Sequence, residues 1–213
     1  MQKNVIKKAS ALIEGASKSI ISKAIGNPQK LFGLVFEATD ACNSHCKHCN
    51  IWQQKPTQDL LTPKEIEKAF QSPLLRDLRE IIITGGEALL RPDLEEIMLI
   101  IHKNTNKNVL MSLSTNAIMP DRAIKATKTM VEGGIQTIVG VSLDGMGEKH
   151  DEIRGTKGNF EKANYLFTEL KKMKDLYGDK LDVVVSFTLS PLTVDSMSEV
   201  MAYSEKFGFI FLP

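Results

Sequence analysis

The chain has no cysteine outside residues 42–49, no long apolar run and almost no net charge. Each shortage excludes something. Three cysteines inside eight residues cannot make a disulfide framework, which wants an even number spread along the chain. The longest bare apolar stretch, near residues 97–101, is five residues, far short of the ~20 that a membrane-crossing helix takes. The first residues lack the compact apolar block of a secretory signal, because lysines recur through them. A net charge of +1 gives no argument for nucleic acid as an obligatory partner. Clustered thiols and no export signal point to a reducing, cytoplasmic setting.

What is present is ordinary in bulk and unusual at one place. At 213 residues, 42% apolar and 25% charged, the chain is long enough for one sizeable domain. The unusual place is Cys42-Asn43-Ser44-His45-Cys46-Lys47-His48-Cys49, a C-x3-C-x2-C arrangement. A soft site of several thiolates selects zinc or an iron–sulfur cluster. A structural zinc site takes four ligands, and His45 or His48 offers a fourth. A cubane cluster held by three thiolates instead leaves one iron open, free to bind and polarise a substrate.

Residues 3–25 read as an amphipathic helix, with Ile6, Ala9, Ile13, Ala16, Ile20 and Ala24 at three- and four-residue steps and lysines opposite. Gly26-Asn27-Pro28 stops it. Its expected role is to cover one end of the following domain; contact with a membrane surface is the second reading. The chain thus divides into an N-terminal helical segment, 1–30, and a core domain, 31–213.

From Leu31 short β-branched runs alternate with helical stretches. Strands are expected at residues 34–39, 80–84, 109–115, 137–143, 183–189 and 207–212. Helices are expected near 62–72, 92–103, 120–132, 159–176 and 195–206, the first with Thr62, Pro63 and Glu65 arranged as a capping box. Such alternation means parallel strands with right-handed crossovers, an α/β fold. Six strands from Leu31 to Pro213 give about 30 residues per unit, whereas a full eight-unit barrel takes ~250. The expected fold is a partial (βα)6 TIM-like barrel, with an open doubly wound sheet as the alternative. The sixth strand ends the chain, so a minimal protein and a piece of a longer one are both open.

In parallel α/β folds the site forms from the loops after the strands. Polar residues recur there: the cysteines after the first strand, Gly85-Gly86-Glu87 after the second and Asn116 after the third. Ser142-Leu143-Asp144-Gly145 follows the fourth, trailed by His150-Asp151 and Arg154-Gly155. Two glycines permit close approach to the backbone. Each feature alone is weak; their joint placement is not.

On these residues the chain from Leu31 to Pro213 resembles the core domain of the radical S-adenosylmethionine (radical SAM) enzymes. More narrowly, it resembles the branch of peptide-modifying maturases, anaerobic sulfatase-maturating enzymes and the molybdenum-cofactor cyclase. The resemblance implies a 4Fe–4S cluster on Cys42, Cys46 and Cys49, whose open iron takes the amino and carboxylate groups of SAM. It implies that Gly85, Gly86 and Glu87 meet the SAM ammonium, that Ser142 sits by the ribose or carboxylate, and that Arg154 neutralises the carboxylate. Asn116 is a further candidate in that pocket. His48 stands where the family usually has an aromatic residue near adenine. The implied activity is reductive cleavage of SAM to a 5′-deoxyadenosyl radical that abstracts hydrogen from a substrate, a peptide or protein first. The electron would come from a reductant such as flavodoxin or ferredoxin. Two features depart from the pattern: Ala88 replaces the proline usual after Gly-Gly-Glu, and no cysteine follows Cys49 to hold auxiliary clusters. The alternatives are a radical SAM enzyme of cofactor or lipid biosynthesis, an inactive or truncated paralogue, and a non-catalytic zinc- or cluster-binding module.

Overall fold

The computed structural model describes residues 31–213; the helix expected at 3–25, and with it the 1–30 segment and its membrane contact, lies outside the described residues. Six strands, β1 (Gly33–Glu37), β2 (Glu80–Thr84), β3 (Leu110–Thr115), β4 (Gln136–Ser142), β5 (Leu181–Ser186) and β6 (Ile210–Leu212), form one sheet. Each is parallel to its neighbour, in the order β1-β2-β3-β4-β5-β6. That order settles the architecture. Right-handed crossovers between strands laid down in sequence put every helix on one face, whereas a doubly wound sheet reverses direction partway. The fold is a partial TIM-like barrel.

The helices are α1 (Pro63–Phe70), α2 (Leu94–Asn104), α3 (Pro120–Glu132), α4 (Glu148–Arg154), α5 (Asn159–Tyr177) and α6 (Met197–Phe207). The capping box forms: the Thr62 N–H donates to Glu65 Oε2 at 2.8 Å, and the Glu65 N–H donates to Thr62 Oγ1. Among the described residues no helix is long and apolar enough to cross a membrane.

Alternation in the strands decides what is buried. Phe36 packs edge-on against Phe70 of α1, so Leu34 and Phe36 face the helices. On the same side Ile81, Ile83, Met111, Leu113, Val139 and Val141 are fully buried beside Ile97, Met98, Ile101, Leu166 and Phe167. Each such side chain contributes about 1.5–3 kcal/mol. The opposite, concave face carries Val35, Ile82, Ser112 and Ile138 in one register row and Ser114, Gly140 and Val184 in another. Ser142 and Ser186 pair at the carboxyl end of that face.

Two expectations shift. Phe207 ends α6 instead of opening β6, and its ring stacks on Phe209 at 5.3 Å over Phe167; the aromatics that suggested a strand are core residues. The segment 148–154, expected as loop, is the helix α4. Seven residues between Gly147 and Gly155 carry too little periodicity to be read as a helix, and packing against the cysteine loop holds it.

Candidate functional site

The loop after β1 carries the three thiols along the carboxyl edge of the sheet, and neighbouring loops grip it from both sides. On the β2 side the Ala38 N–H donates to Thr84 O, the Gly86 N–H to Thr39 O at 2.7 Å and the Glu87 N–H to Ala41 O at 2.8 Å. A Cβ on Gly85 would lie 2.1 Å from Thr39 O, and one on Gly86 2.3 Å from Ala41 O. The close approach that the glycine pair permits is therefore made by the cysteine loop's own backbone. Arg91, buried behind it, donates from Nη1 to Ala38 O at 2.9 Å and pairs through Nε with Asp93 at 2.7 Å. Asp40 ties down the far end of the loop by accepting from both the N–H and the hydroxyl of Thr57.

On the other flank the end of α4 is the support. The Lys47 N–H donates to Ile153 O at 2.8 Å, and Arg154 O accepts from the His45 N–H at 3.1 Å and the Ser44 hydroxyl at 2.9 Å. Gly155 follows in the left-handed region, φ +63, with its Cα hydrogen where a Cβ would meet His45 O at 2.4 Å. Asn116 reaches over from the end of β3 and donates to Asn43 Oδ1 at 2.8 Å.

No thiol is in a disulfide; Cys46 is buried and Cys42 and Cys49 are half-buried. The Cys42 thiol is pushed up by burial first, then by the negative charges of Glu87, Cys46 and Cys49, against an N–H bond from Ser44. A positive metal centre would relieve this crowding of negative groups. Among the described residues no three His, Cys, Asp or Glu side chains converge as the ligands of one metal ion would. His45 turns outward onto Trp52, ring centroids 4.8 Å apart, and Trp52 Nε1 donates to Cys46 O.

Four of the expected residues surround the thiol loop, three of them buried. Glu87 is 2% exposed; its carboxylate accepts from the Asn116 N–H at 2.7 Å and the Leu89 N–H at 3.3 Å, and burial raises its pKa against these bonds. Arg154, 7% exposed, meets Asp144 through Nε at 2.7 Å and points Nη1 at Cys46 Sγ, 3.7 Å away. His48 places Nε2 3.7 Å from Asp144 Oδ2, and burial lowers its pKa. Asn116 is held on all sides, its carbonyl oxygen accepting from Asn159 Nδ2. Ser142 stands apart from this network, at the carboxyl end of β4 on the concave face.

The sequence did not single out the supports. Ser44 and Asn43 lie inside the cysteine motif, so their position was a signal. Arg91 and Asn159 gave none, since only the fold brings them in; Thr188, in the polar stretch after the fifth strand, enters through its N–H, which donates to Asp144 Oδ1 at 2.8 Å.

The sequence profile of the Radical SAM superfamily matches residues 36–188. The chain is 27% identical over 177 residues to the sporulation killing factor maturation protein SkfB of Bacillus subtilis, covering 82% of this chain and 40% of that protein. It is 33% identical over 182 residues to a probable GTP 3',8-cyclase of Methanococcus vannielii, covering 81% and 54%. The chain thus spans about half the length of these curated relatives. The solved structure of native anSMEcpe with bound AdoMet and the Cp18Cys peptide superposes with a TM-score of 0.62 at 22% identity, covering 85% of this chain and 50% of the other, a likeness of fold. Enzymes of this superfamily use a 4Fe–4S cluster and S-adenosylmethionine. With most of its length matched by the profile, the chain belongs to the Radical SAM superfamily.

Proposed function

We propose that residues 31–213 are a radical SAM core domain that binds a 4Fe–4S cluster through Cys42, Cys46 and Cys49 and cleaves SAM to act on a peptide. The observation that carries the reading is the three free thiols on one loop, held at the carboxyl edge of a parallel sheet by Gly86, Glu87, Asn116 and Arg154. The donor set fits the group. Three soft thiolates suit iron and sulfide, and their failure to converge on one point disfavours a single tetrahedral zinc, which holds thiolates at about 2.3 Å.

When bound, cluster and SAM supply one-electron cleavage of the sulfonium to methionine and a 5′-deoxyadenosyl radical, given an electron from a reductant such as flavodoxin or ferredoxin. The protein's part is to orient and shield. Gly85, Gly86 and Glu87 would meet the ammonium end of SAM, and Arg154 would face its carboxylate. Ser142 offers a hydroxyl from the concave face, His48 a planar side chain and Asn116 a carboxamide beside the cysteine loop.

The peptide reading draws on the maturation protein SkfB and on the peptide held by anSMEcpe. It also fits the concave rows given above, which carry no lysine or arginine to meet a phosphate-rich substrate. The second reading, a cofactor-biosynthetic enzyme, rests on the 33% identity to the probable GTP 3',8-cyclase. One experiment tests both. After anaerobic reconstitution, SAM and dithionite should yield 5′-deoxyadenosine by chromatography, and GTP should not raise the yield. No product from a protein holding iron and sulfide would refute the SAM reading, and stimulation by GTP would favour the second.

A further inference from the structure

We infer that Ser44 and Arg154 act as hydrogen-bond donors to the Cys46 sulfur and set the reduction potential of the cluster there. The inference rests on the cluster reading above. Cys46 is the buried thiol of the three, and two side chains converge on its sulfur: Ser44 Oγ at 3.1 Å and Arg154 Nη1 at 3.7 Å. Neither approach is incidental. Arg154 is fixed from behind by Asp144, which is itself fixed by the Thr188 N–H.

The hydroxyl proton has two possible acceptors. In the free protein Ser44 donates to Arg154 O, and the Cys46 S–H can donate to Ser44 Oγ. A metal-bound sulfur has lost its proton, so the Ser44–Cys46 contact then survives only if the hydroxyl turns its own proton to sulfur. The turn leaves nothing unsatisfied, because Arg154 O still accepts from the His45 N–H at 3.1 Å. The guanidinium has no such choice; Arg154 can only donate.

Taking up one electron adds a negative charge, part of which falls on the cysteine sulfurs. Donors aimed at sulfur stabilise the reduced form more than the oxidised one and raise the potential. Burial acts the other way, since a low-dielectric site disfavours added charge. The donor pair at Cys46 therefore offsets the burial of that corner.

The test is a dithionite titration of the reconstituted protein without SAM, followed by electron paramagnetic resonance of the reduced cluster. Ser44→Ala removes a donor with no change of charge, and its midpoint potential should become more negative than wild type. Arg154→Lys keeps the charge but loses the fork, and should shift in the same direction. Asn43→Ala, which loosens the same loop without removing a sulfur donor, should leave the potential in place. An unchanged potential in Ser44→Ala, or an equal shift in Asn43→Ala, overturns the inference. Should Ser44→Ala fail to hold a cluster, the wild-type protein decides: deuterium exchange should remove a proton coupling from the pulsed resonance spectrum, and its absence overturns the inference. Iron and sulfide assays keep the two readings apart. A wild-type protein that binds neither overturns the cluster reading and this inference together, whereas a bound cluster with an unmoved potential overturns this inference alone.

Discussion

Arg154 Nε lies 2.7 Å from Asp144 Oδ2, a charge pair that is almost wholly buried and meets without an aligned hydrogen bond. It joins the end of β4 to the end of α4, and α4 in turn carries the cysteine loop. Buried pairs often only break even against water, but removing one partner strands the other charge. Asp144→Ala should therefore destabilise by about 3–5 kcal/mol in urea unfolding. Asp144→Asn, which keeps an acceptor for the Thr188 N–H, should cost less. Equal stability of both variants and wild type would mean the pair does not hold the fold.

The cysteines should fail for chemistry and not for folding. Most of the hold on the loop comes from backbone bonds at Gly86, Glu87 and Arg154 and from Asn116, none of which a Cys→Ala change removes. Cys42→Ala, Cys46→Ala and Cys49→Ala should each lose iron and SAM cleavage while circular dichroism stays native. A variant with near wild-type cleavage would leave the ligand set.

Glu87 has two duties that separate by variant. Glu87→Ala strands the buried N–H groups of Asn116 and Leu89, at about 1–3 kcal/mol each, and should weaken SAM binding by roughly one to two decades. Glu87→Gln retains one acceptor oxygen and should fall between that variant and wild type on both measures. Thermal melts beside SAM titrations read the two effects independently.

Gly86→Ala tests the backbone contact. Its new methyl would sit 2.3 Å from Ala41 O, and a carbonyl in the loop can yield only by moving the loop. Lower iron content after reconstitution and a lower melting temperature are expected. Wild-type values for both would show that the loop has room.

His150 should make the fold sensitive to acid. Burial first, then the Arg154 charge, hold its pKa down from 6.5 to about 4, against Asp144, Asn159 and Asp151. Its Nδ1 accepts from the Asp144 N–H at 3.1 Å, which the neutral ring permits and the protonated ring forbids. Between pH 6.5 and about 4 the unfolded chain binds a proton that the folded one refuses, so stability rises with pH and is lost as pH falls. The contribution is about 3 kcal/mol across that window. His150→Gln, with a neutral acceptor in the same place, should show a correspondingly flatter decline in denaturant unfolding from pH 6.5 to 4. Parallel curves would remove His150 as the cause.

Much of this protein is local in origin and was legible in the sequence. The cysteine spacing, the capping box at Thr62 and the β-branched runs each report on neighbours a few residues away, and they gave the strands, five helices and the thiol loop. Six parallel strands followed from the alternation. What closeness in sequence could not report is which backbones touch. Gly85 and Gly86 read as permitting close approach to the backbone, and only the fold shows that Thr39 and Ala41 make such an approach. Arg154 stood in the sequence as a cation near the end of a loop, and only the fold pairs it with Asp144 and aims it at Cys46. The helix α4 was invisible because seven residues carry almost no periodic signal, and contacts to a loop 110 residues away hold them. The sequence by itself determined the chemistry available, since thiols, carboxylates and glycines are what they are wherever they lie. The tertiary structure decided which of them meet, because parallel strands in the order β1 to β6 set every loop that follows a strand at one edge, where residues distant in the chain come within bonding reach.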